Sequence, residues 1–204
     1  MRVGGVVLCG GRSSRMGQPK ALLPFGEETL LQRVVRIVSE VLDPVAVVAA
    51  AEQELPILPD SVRIVRDEQE YAGPLAGMGL GLASLAADAD AAYISACDVP
   101  LLRTDFVREM IARLGHHDAA VPRGEQFYHP LAGVYRTSLA GPIASLVTAG
   151  KLRPLHLIES SNTLAISLDD LRGADPALDS LRNLNTPEDY QHALRDSGIS
   201  AELH

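Results

Sequence analysis

Short, continuously apolar stretches alternate along the first half of the chain with longer stretches in which apolar residues recur every three or four positions. Continuous apolar runs of this length are typical of buried strands, whereas the longer pattern is typical of helices with one buried face. Four strands are predicted in this half, over residues 3–9, 45–50, 62–65 and 91–96. Because strands that alternate with helices form mostly parallel sheets covered on both faces, the pattern predicts an α/β fold.

Start and stop signals bound the predicted helices. Thr29 and Gln32 have the spacing of a capping box, the apolar stripe that follows extends to Val41, and Pro44 ends the helix. Further helices are predicted over residues 75–87, from a Thr104 cap to Gly115, over residues 138–149, and from a Thr186 cap onwards.

The second half is less regular. Residues 118–121 and 128–135 have strand-like patterns joined by a short polar turn, which predicts an antiparallel excursion from the sheet. Residues 163–168 alternate apolar and polar side chains and are predicted to form an edge strand. Because the chain has no internal repeat or linker, residues 1–204 are predicted to form a single domain with a Rossmann-like, three-layer α/β/α fold around a mostly parallel central sheet.

Composition and charge narrow the class of protein. The 204 residues are 47% hydrophobic and 22% charged, which is ordinary for a soluble globular protein. A net charge of −8 argues against a nucleic-acid or anionic-membrane surface, although a local basic pocket can still bind a small anion. No apolar stretch is long enough to span a membrane and no secretory signal precedes the first strand, so a cytoplasmic enzyme is expected.

Two cysteines, Cys9 and Cys97, are too few for a disulfide scaffold or a four-thiolate metal site. Each lies at the end of a predicted core strand. In the strand order 3-2-1-4, which is common in open parallel sheets, the first and fourth strands are neighbours. We therefore predict that both cysteines are reduced and lie close together.

A glycine pair and three cations follow the first predicted strand, in the stretch CGGRSSRMGQPK. Ligands of open parallel sheets bind beyond the carboxyl ends of the strands. Gly10 and Gly11 allow backbone N–H groups to approach phosphate oxygens, and Arg12, Arg15 and Lys20 add positive charge. The spacing matches neither a Walker A sequence nor a dinucleotide-binding fingerprint. The alternative is a glycine turn with solvated cations.

Four stretches of the chain together resemble the molybdenum cofactor guanylyltransferase family, which has the GT-A-like nucleotidyltransferase fold. LCGGRSSRMGQPK is similar to the signature L-x-G-G-x-S-x-R-M-G-x-x-K, DEQEYAGPLAGM to D…G-P-L-A-G, CDVPLL to C-D-x-P, and NLNTPEDY to N-x-N-T-P-E-D. The stretches follow the family's order, and the resemblance covers nearly the whole chain. It implies a mainly nucleotide-binding half over residues 1–100 and a mainly acceptor-binding half over residues 101–204.

The resemblance implies a role for each matching residue. Lys20, Arg15 and Asp98 would be the catalytic residues, and Asp98 would also be the ligand of Mg²⁺. Asn183 and Asn185 would face the acceptor. The nucleotide-binding residues would be Leu8, Cys9, Gly10, Gly11, Lys20, Asp67, Gly73, Gly77 and Asp98.

Several of these residues have an ordinary structural alternative. Asp67 either accepts hydrogen bonds from the N1–H and amino group of guanine or is a turn aspartate at the end of a strand. Gly73 and Gly77 either allow a close approach of base and sugar or begin a helix. Asn183 and Asn185 either face the pterin or form the turn before the last helix.

The implied reaction transfers GMP from GTP to the terminal phosphate of molybdopterin and releases pyrophosphate. Mg²⁺ is the implied cofactor and GTP and molybdopterin are the implied substrates. Apo-molybdoenzymes or their chaperones are candidate partners, and neither nucleic acid nor a membrane is expected. Because the second pKa of a terminal phosphate is about 6, the acceptor is largely ionised at neutral pH and needs no general base.

One stretch departs from the family pattern. The family has an asparagine near the base just after the second strand, where this chain has Ala49, Ala50 and Ala51. The guanine contact expected there is absent or comes from elsewhere, which weakens the argument for GTP over CTP as the nucleotide substrate. The stretches GPLAGM and HPLAGVYR, in contrast, favour GTP. The alternatives are a cytidylyltransferase for the same pterin, a sugar-phosphate nucleotidyltransferase and, in another class, a non-catalytic nucleotide-binding adaptor that delivers the cofactor.

Overall fold

The computed structural model describes residues 1–9, 19–68 and 73–199. Over these residues the strands are β1 (Val3–Leu8), β2 (Pro24–Phe25), β3 (Glu28–Thr29), β4 (Val45–Ala50), β5 (Val62–Asp67), β6 (Ala91–Ala96), β7 (Ala119–Arg123), β8 (Val134–Arg136) and β9 (Thr163–Ser167). The helices are α1 (Leu30–Ser39), α2 (Gly73–Leu85), α3 (Thr104–Arg113), α4 (Ala140–Thr148), α5 (Pro154–Ser160), α6 (Leu168–Leu171) and α7 (Pro187–Asp196). None of these described helices is both long and apolar enough to cross a membrane.

The central sheet contains seven of the described strands, in the order β5-β4-β1-β6-β8-β7-β9. β5, β4, β1 and β6 are parallel to one another, and β7 and β9 form a second parallel pair. β8 runs antiparallel to both of its neighbours. This arrangement confirms the predicted α/β fold with an antiparallel excursion. It also confirms the predicted strand order, because β1 lies beside β6.

The antiparallel excursion is shorter than predicted. Residues 128–135 do not form one strand, because Pro130–Ala132 is a 3₁₀ turn and only β8 continues the sheet. Proline has no N–H group to donate to a strand ladder, so it favours a turn at this point. The turn is held by its neighbours, since the hydroxyl of Tyr135 donates to the Pro130 carbonyl at 2.8 Å.

The predicted helix caps are confirmed at α1 and α7 and wrong at α3. The Gln32 N–H donates to the Thr29 hydroxyl, and the Gln32 side chain accepts from the Thr29 N–H, as in a capping box. Thr186 begins α7 with the same reciprocal pairing. At α3, however, Thr104 is already helical. The cap is Arg103, whose extended backbone (φ −110°, ψ 137°) has the conformation of a residue that precedes a helix.

The apolar pattern did not predict the shortest elements. The β2–β3 hairpin has two residues in each strand, and α6 has four residues. α5 has seven residues and begins at Pro154, which occupies a favourable position in the first turn. Elements of fewer than about two helical turns contain too few apolar positions to reveal a period.

Helices cover both faces of the sheet. On one face, α1 and α3 pack on the strands through side chains that include Val38 and Phe106. On the other face, α2, α4 and α5 pack through side chains that include Leu82. Val7 of β1 points to the first of these cores and Val6 to the second. This alternation is the geometry expected of a strand buried on both faces.

A third apolar cluster, here called the C-terminal core, joins the β2–β3 hairpin to α7. Its buried members are Leu23, Phe25, Leu30, Leu184, Ala193 and Leu194. The rings of Phe25 and Tyr190 meet edge to face at a centroid distance of 6.5 Å. The Tyr190 hydroxyl also donates to the Pro24 carbonyl. The C-terminal core therefore fixes the chain just after residue 20 against the chain just before α7.

Gly81 of α2 allows the helix to pack closely on β1, so we expect Gly81→Ala to destabilise the protein. A Cβ at this position would lie 2.4 Å from Cγ1 of Val6, a fully buried and stiff side chain. Overpacking of this kind costs about 1–3 kcal/mol, against a gain of about 1 kcal/mol in helix propensity. Urea denaturation should show a net loss of up to roughly 2 kcal/mol in the free energy of unfolding.

Gly173 supplies the matched control for this prediction. It lies in a turn, has no left-handed φ, and a Cβ there would meet nothing within 4 Å. Gly173→Ala should raise the free energy of unfolding by about 0.5 kcal/mol, because alanine restricts the unfolded chain. A Gly81→Ala variant as stable as Gly173→Ala would contradict the close packing of α2 on β1.

Candidate active site

The carboxyl ends of four parallel strands lie at one edge of the sheet, here called the carboxyl edge. Asp67 is the last residue of β5 and pairs with Ala50, the last residue of β4. Cys9 follows β1, and Asp98 lies two residues beyond β6. β5 and β6 are three inter-strand spacings of roughly 4.8 Å apart, so the edge between them is about 14 Å long. An extended nucleoside triphosphate can lie along an edge of this length.

Four side chains from distant parts of the chain meet at the end of β6. The Lys20 Nζ donates to Asp98 Oδ2 at 2.6 Å and to Asn185 Oδ1 at 3.4 Å. Asn183 Nδ2 donates to Asp98 Oδ1 at 2.8 Å. Each carboxylate oxygen of Asp98 therefore accepts a hydrogen bond. The four residues form one hydrogen-bonded group, here called the Asp98 cluster.

The ion pair within the Asp98 cluster is largely shielded from water. The side chains of Lys20 and Asp98 are only 19% and 13% exposed, whereas those of the surface pair Arg63 and Asp88 are 42% and 40% exposed. Removing a charge from water is costly unless a partner charge and hydrogen bonds replace the solvent. The cluster therefore holds a positive charge directly beside a carboxylate at the carboxyl edge.

Backbone and core contacts fix the Asp98 cluster. The Leu184 N–H donates to the Asp98 carbonyl at 2.9 Å, so the segment that carries both asparagines lies against the turn after β6. Leu184 and Leu23 are both members of the C-terminal core. This core therefore brings the segment after Lys20 and the two asparagines to the same place, although more than 160 residues separate them in sequence.

Among the other predicted nucleotide-binding residues that the structure describes, Leu8 is the last residue of β1, and Gly73 and Gly77 lie in α2. A Cβ at Gly77 would lie 3.5 Å from Cδ2 of the buried Leu8, which is an ordinary van der Waals distance. Packing within the protein therefore does not require glycine at position 77, in contrast to Gly79, where a Cβ would lie 2.6 Å from Ile143. Gly73 begins α2 with a φ of +74°, a conformation that favours glycine. Backbone conformation therefore explains the glycine at position 73, whereas neither conformation nor packing explains the glycine at position 77.

Cys9 and Cys97 are buried, free thiols at adjacent strand ends. Leu8 pairs with Ala96 across β1 and β6, and the Cys97 N–H donates to the Leu8 carbonyl at 3.0 Å. The prediction that the two cysteines lie close together, at neighbouring strand ends, is confirmed. Burial raises the pKa of Cys9 to about 12 and raises the pKa of Cys97 well above its ordinary value. Both thiols are protonated at neutral pH, so neither supplies a thiolate nucleophile.

Asp98 is the carboxylate that the Asp98 cluster presents to a cation. Within residues 1–9, 19–68 and 73–199, no group of three or more His, Cys, Asp or Glu side chains has an arrangement that could hold a metal ion. Burial lowers the pKa of His129, so its imidazole is neutral at pH 7 and adds no positive charge. Mg²⁺ commonly binds to one carboxylate together with substrate phosphates, and the donor set present here fits that arrangement.

The structure brings Lys20, Asp98, Asn183 and Asn185 together and leaves other predicted residues untested. Gly10, Gly11 and Arg15 lie outside the described residues, as does Arg12. Gln53 was not among the predicted residues, although its Nε2 donates to the Cys9 carbonyl at 2.8 Å. The signal that could have found it is an amide side chain shortly after the alanines that replace the expected asparagine.

Comparisons with solved structures support the fold. Molybdopterin-guanine dinucleotide biosynthesis protein A from Archaeoglobus fulgidus superposes with a TM-score of 0.78 at 22% identity, over 97% of this chain and 99% of that chain. A Mycobacterium tuberculosis protein in complex with manganese superposes with a TM-score of 0.67 at 18% identity, over 96% of this chain and 99% of that chain. Likenesses at these identities concern the fold.

Sequence comparisons define the family. Residues 5–163 match the MobA-like NTP transferase domain, which with the observed fold makes the chain a nucleotidyltransferase. A Methanothermobacter thermautotrophicus protein named as a probable molybdenum cofactor guanylyltransferase is 37% identical over 193 residues, which cover 91% of this chain and 95% of that protein. The chain belongs to the molybdenum cofactor guanylyltransferase family.

Proposed function

We propose that this chain transfers GMP from GTP to the terminal phosphate of molybdopterin and releases pyrophosphate. The observation that carries the proposal is the Asp98 cluster, in which an ammonium, a carboxylate and two amides converge on the carboxyl edge of a nucleotidyltransferase. An adaptor that only carries the cofactor has no need of an ion pair shielded from water at the end of the central strand.

The proposed reaction is an in-line displacement. An oxygen of the acceptor phosphate forms a bond to the α-phosphorus of GTP, and the bond from that phosphorus to the oxygen bridging to the β-phosphorus breaks. The electron pair leaves with pyrophosphate. Because the acceptor phosphate is largely ionised at neutral pH, catalysis consists of positioning the reactants and stabilising negative charge.

Asp98 is the residue that we propose to hold a divalent cation, with Mg²⁺ as the physiological ion. Its Oδ2 already faces a cation, the Lys20 ammonium, at 2.6 Å. When bound, Mg²⁺ would neutralise phosphate charge and orient the triphosphate. The manganese complex of the M. tuberculosis structural neighbour is consistent with a divalent ion in proteins of this fold.

Lys20 is proposed to donate to the phosphate oxygens that gain charge as pyrophosphate departs. Its Nζ lies within hydrogen-bonding distance of both Asp98 and Asn185 at the carboxyl edge, where we propose that the triphosphate binds. Asn183 holds the other oxygen of Asp98 and keeps the carboxylate in place. Arg15 is proposed to add positive charge beside the same phosphates.

The remaining roles follow the carboxyl edge. We propose that the nucleoside lies over Leu8, Cys9, Gly10, Gly11, Asp67, Gly73 and Gly77, and that Asn183 and Asn185 face the pterin. Residues 1–100 would then contribute mainly to the nucleotide and residues 101–204 mainly to the acceptor, within a single domain. The two free cysteines fit a reducing compartment, and we propose the cytoplasm as the site of the reaction.

In the decisive experiment, the purified protein is incubated with molybdopterin, Mg²⁺ and one nucleotide at a time, GTP, CTP, ATP or UTP. Pyrophosphate release is measured for each nucleotide. We expect release with GTP, with a dinucleotide product that contains molybdopterin and GMP. Release with CTP alone would instead define a cytidylyltransferase. Release with a sugar phosphate and not with molybdopterin would identify the sugar phosphate as the acceptor. Nucleotide binding without release for any acceptor would favour the adaptor and overturn the proposal.

A further inference from the structure

The turn after β4 carries a side chain that reaches the end of β1. Where the family has an asparagine, residues 49–51 of this chain are alanines with no side-chain hydrogen-bonding group. Gln53 follows them, and its side-chain amide is bonded at both ends. Its Nε2 donates to the Cys9 carbonyl at 2.8 Å, and its Oε1 accepts from the Ala50 N–H at 3.2 Å.

These bonds tie the last described residue of the β1 segment to β4. The Cys9 N–H already donates to the Val48 carbonyl at 2.9 Å, in continuation of the strand ladder. The Gln53 side chain donates to the Cys9 carbonyl, which belongs to the other peptide group of the same residue. Both peptide groups of Cys9 are thereby anchored to the β4 segment, at the point where the chain leaves the sheet.

Arg66 of β5 braces the turn from its other side. One guanidinium nitrogen donates to the Ala50 carbonyl at 3.0 Å and to the Gln53 carbonyl at 2.7 Å. The turn is therefore held by side chains from within itself and from the neighbouring strand. A turn fixed in this way offers a preorganised surface, and preorganised groups bind a ligand without the cost of ordering them.

We infer that Gln53 is a positioning residue for the nucleoside, which fixes the Cys9 carbonyl at the carboxyl edge in place of the missing asparagine. The inference rests on the proposed function, because it assigns Gln53 to the nucleotide half of the same site. Gln53 acts through the backbone of Cys9, so it sets nucleotide affinity and leaves the transfer step to the Asp98 cluster. Gln53 therefore stabilises the bound nucleotide and the transition state equally. Its loss raises KM and leaves kcat unchanged.

The test compares Gln53→Met with Gln32→Met. Gln32 is a matched control, because its side chain likewise accepts one backbone N–H, that of Thr29, and donates to one backbone carbonyl, that of Ile57 at 2.9 Å. Methionine keeps the length of the side chain and removes both bonds without adding charge. Both variants should lower the temperature of thermal unfolding, and that shared loss measures the structural effect alone.

Steady-state kinetics with saturating molybdopterin and varied Mg-GTP separate the two variants. We expect Gln53→Met to raise KM and the equilibrium Kd for GTP about tenfold, the equivalent of one lost hydrogen bond, with kcat within about twofold. Gln32→Met should leave all three values unchanged. Gln53→Ser, which removes the same bonds without an apolar side chain, should repeat the KM effect if the methionine variant folds poorly.

The outcome that contradicts the proposed function differs from the two that contradict the role of Gln53. A wild-type protein that neither binds GTP nor releases pyrophosphate contradicts the proposed function. A wild-type protein that does both, with Gln53 variants whose KM and Kd equal those of Gln32→Met, overturns the positioning role of Gln53 alone. A fall in kcat at unchanged KM would also overturn it, because the residue would then act on the transition state.

Discussion

Asp98→Asn is expected to abolish GMP transfer while leaving the fold intact, with kcat lowered by about 1,000-fold or more. Asparagine has nearly the same shape and can still accept the hydrogen bond from Asn183, but it carries no charge for Lys20 or for a divalent cation. If Asp98 holds the divalent cation as proposed, losing this carboxylate costs several kcal/mol of charge stabilisation, and roughly 4 kcal/mol corresponds to the expected loss of rate. Pyrophosphate release at saturating substrates measures the effect.

The surface ion pair between Arg63 and Asp88 provides the control. Its atoms approach to 2.9 Å, but it lies at the opposite end of the sheet, where β5 begins and α2 has ended. Exposed pairs of this kind contribute about 0–1 kcal/mol, so Asp88→Asn should change neither stability nor transfer appreciably. Near-normal turnover of Asp98→Asn, with the unfolding temperature of the wild type, would remove Asp98 from the mechanism.

The elements that the sequence predicted well are those whose own residues determine their structure. β4 and β6 have the predicted bounds, because continuous apolar runs have only one place in an α/β fold, the centre of a parallel sheet. The capping box at Thr29 forms because all of its partners lie within one helical turn. The predicted strand order was the one that is common in open parallel sheets, and it does not depend on side-chain detail.

The elements that escaped prediction depend on distant parts of the chain. The β2–β3 hairpin has two residues in each strand and is stabilised by the C-terminal core, whose other half comes from Leu184 and α7. The two halves of that core are far apart in the sequence, so no short stretch of residues contains both. Thr104 failed as a cap for a related reason, since the extended residue at that turn is Arg103, whose N–H donates to Ser180 Oγ at 3.1 Å.

The members of the Asp98 cluster were named from the sequence, but their contacts were not. The resemblance selected Lys20, Asp98, Asn183 and Asn185 separately. Only the structure shows that Lys20 and Asn183 bond to the two oxygens of Asp98 and that Asn185 joins them through Lys20. Gln53 escaped selection because its role depends on the register between β1 and β4, which a sequence pattern does not specify.

Lys20→Ala is expected to lower kcat by roughly 100-fold and to raise the KM for GTP by less than about tenfold. In the proposed reaction the ammonium stabilises charge that grows as pyrophosphate leaves, so its loss affects the transition state more than the bound substrate. The structure already holds Nζ at 2.6 Å from Asp98 Oδ2, with both side chains largely shielded from water. Kinetics with saturating acceptor and varied Mg-GTP measure both parameters.

Thermal unfolding separates this catalytic effect from a structural one. Removing Lys20 leaves the shielded Asp98 carboxylate with Asn183 as its described side-chain partner, so the variant should be less stable by about 1–3 kcal/mol. If Asp98 binds a divalent cation, Mg²⁺ should restore more stability to Lys20→Ala than to the wild type, in which the ammonium competes for the same oxygen.

Arg63→Ala, which removes a cation from the surface pair, should leave kcat, KM and the response to Mg²⁺ unchanged. A Lys20→Ala variant with wild-type kinetics and no added response to Mg²⁺ would make Lys20 a structural residue. A rise in KM at constant kcat would instead restrict it to binding the ground-state triphosphate.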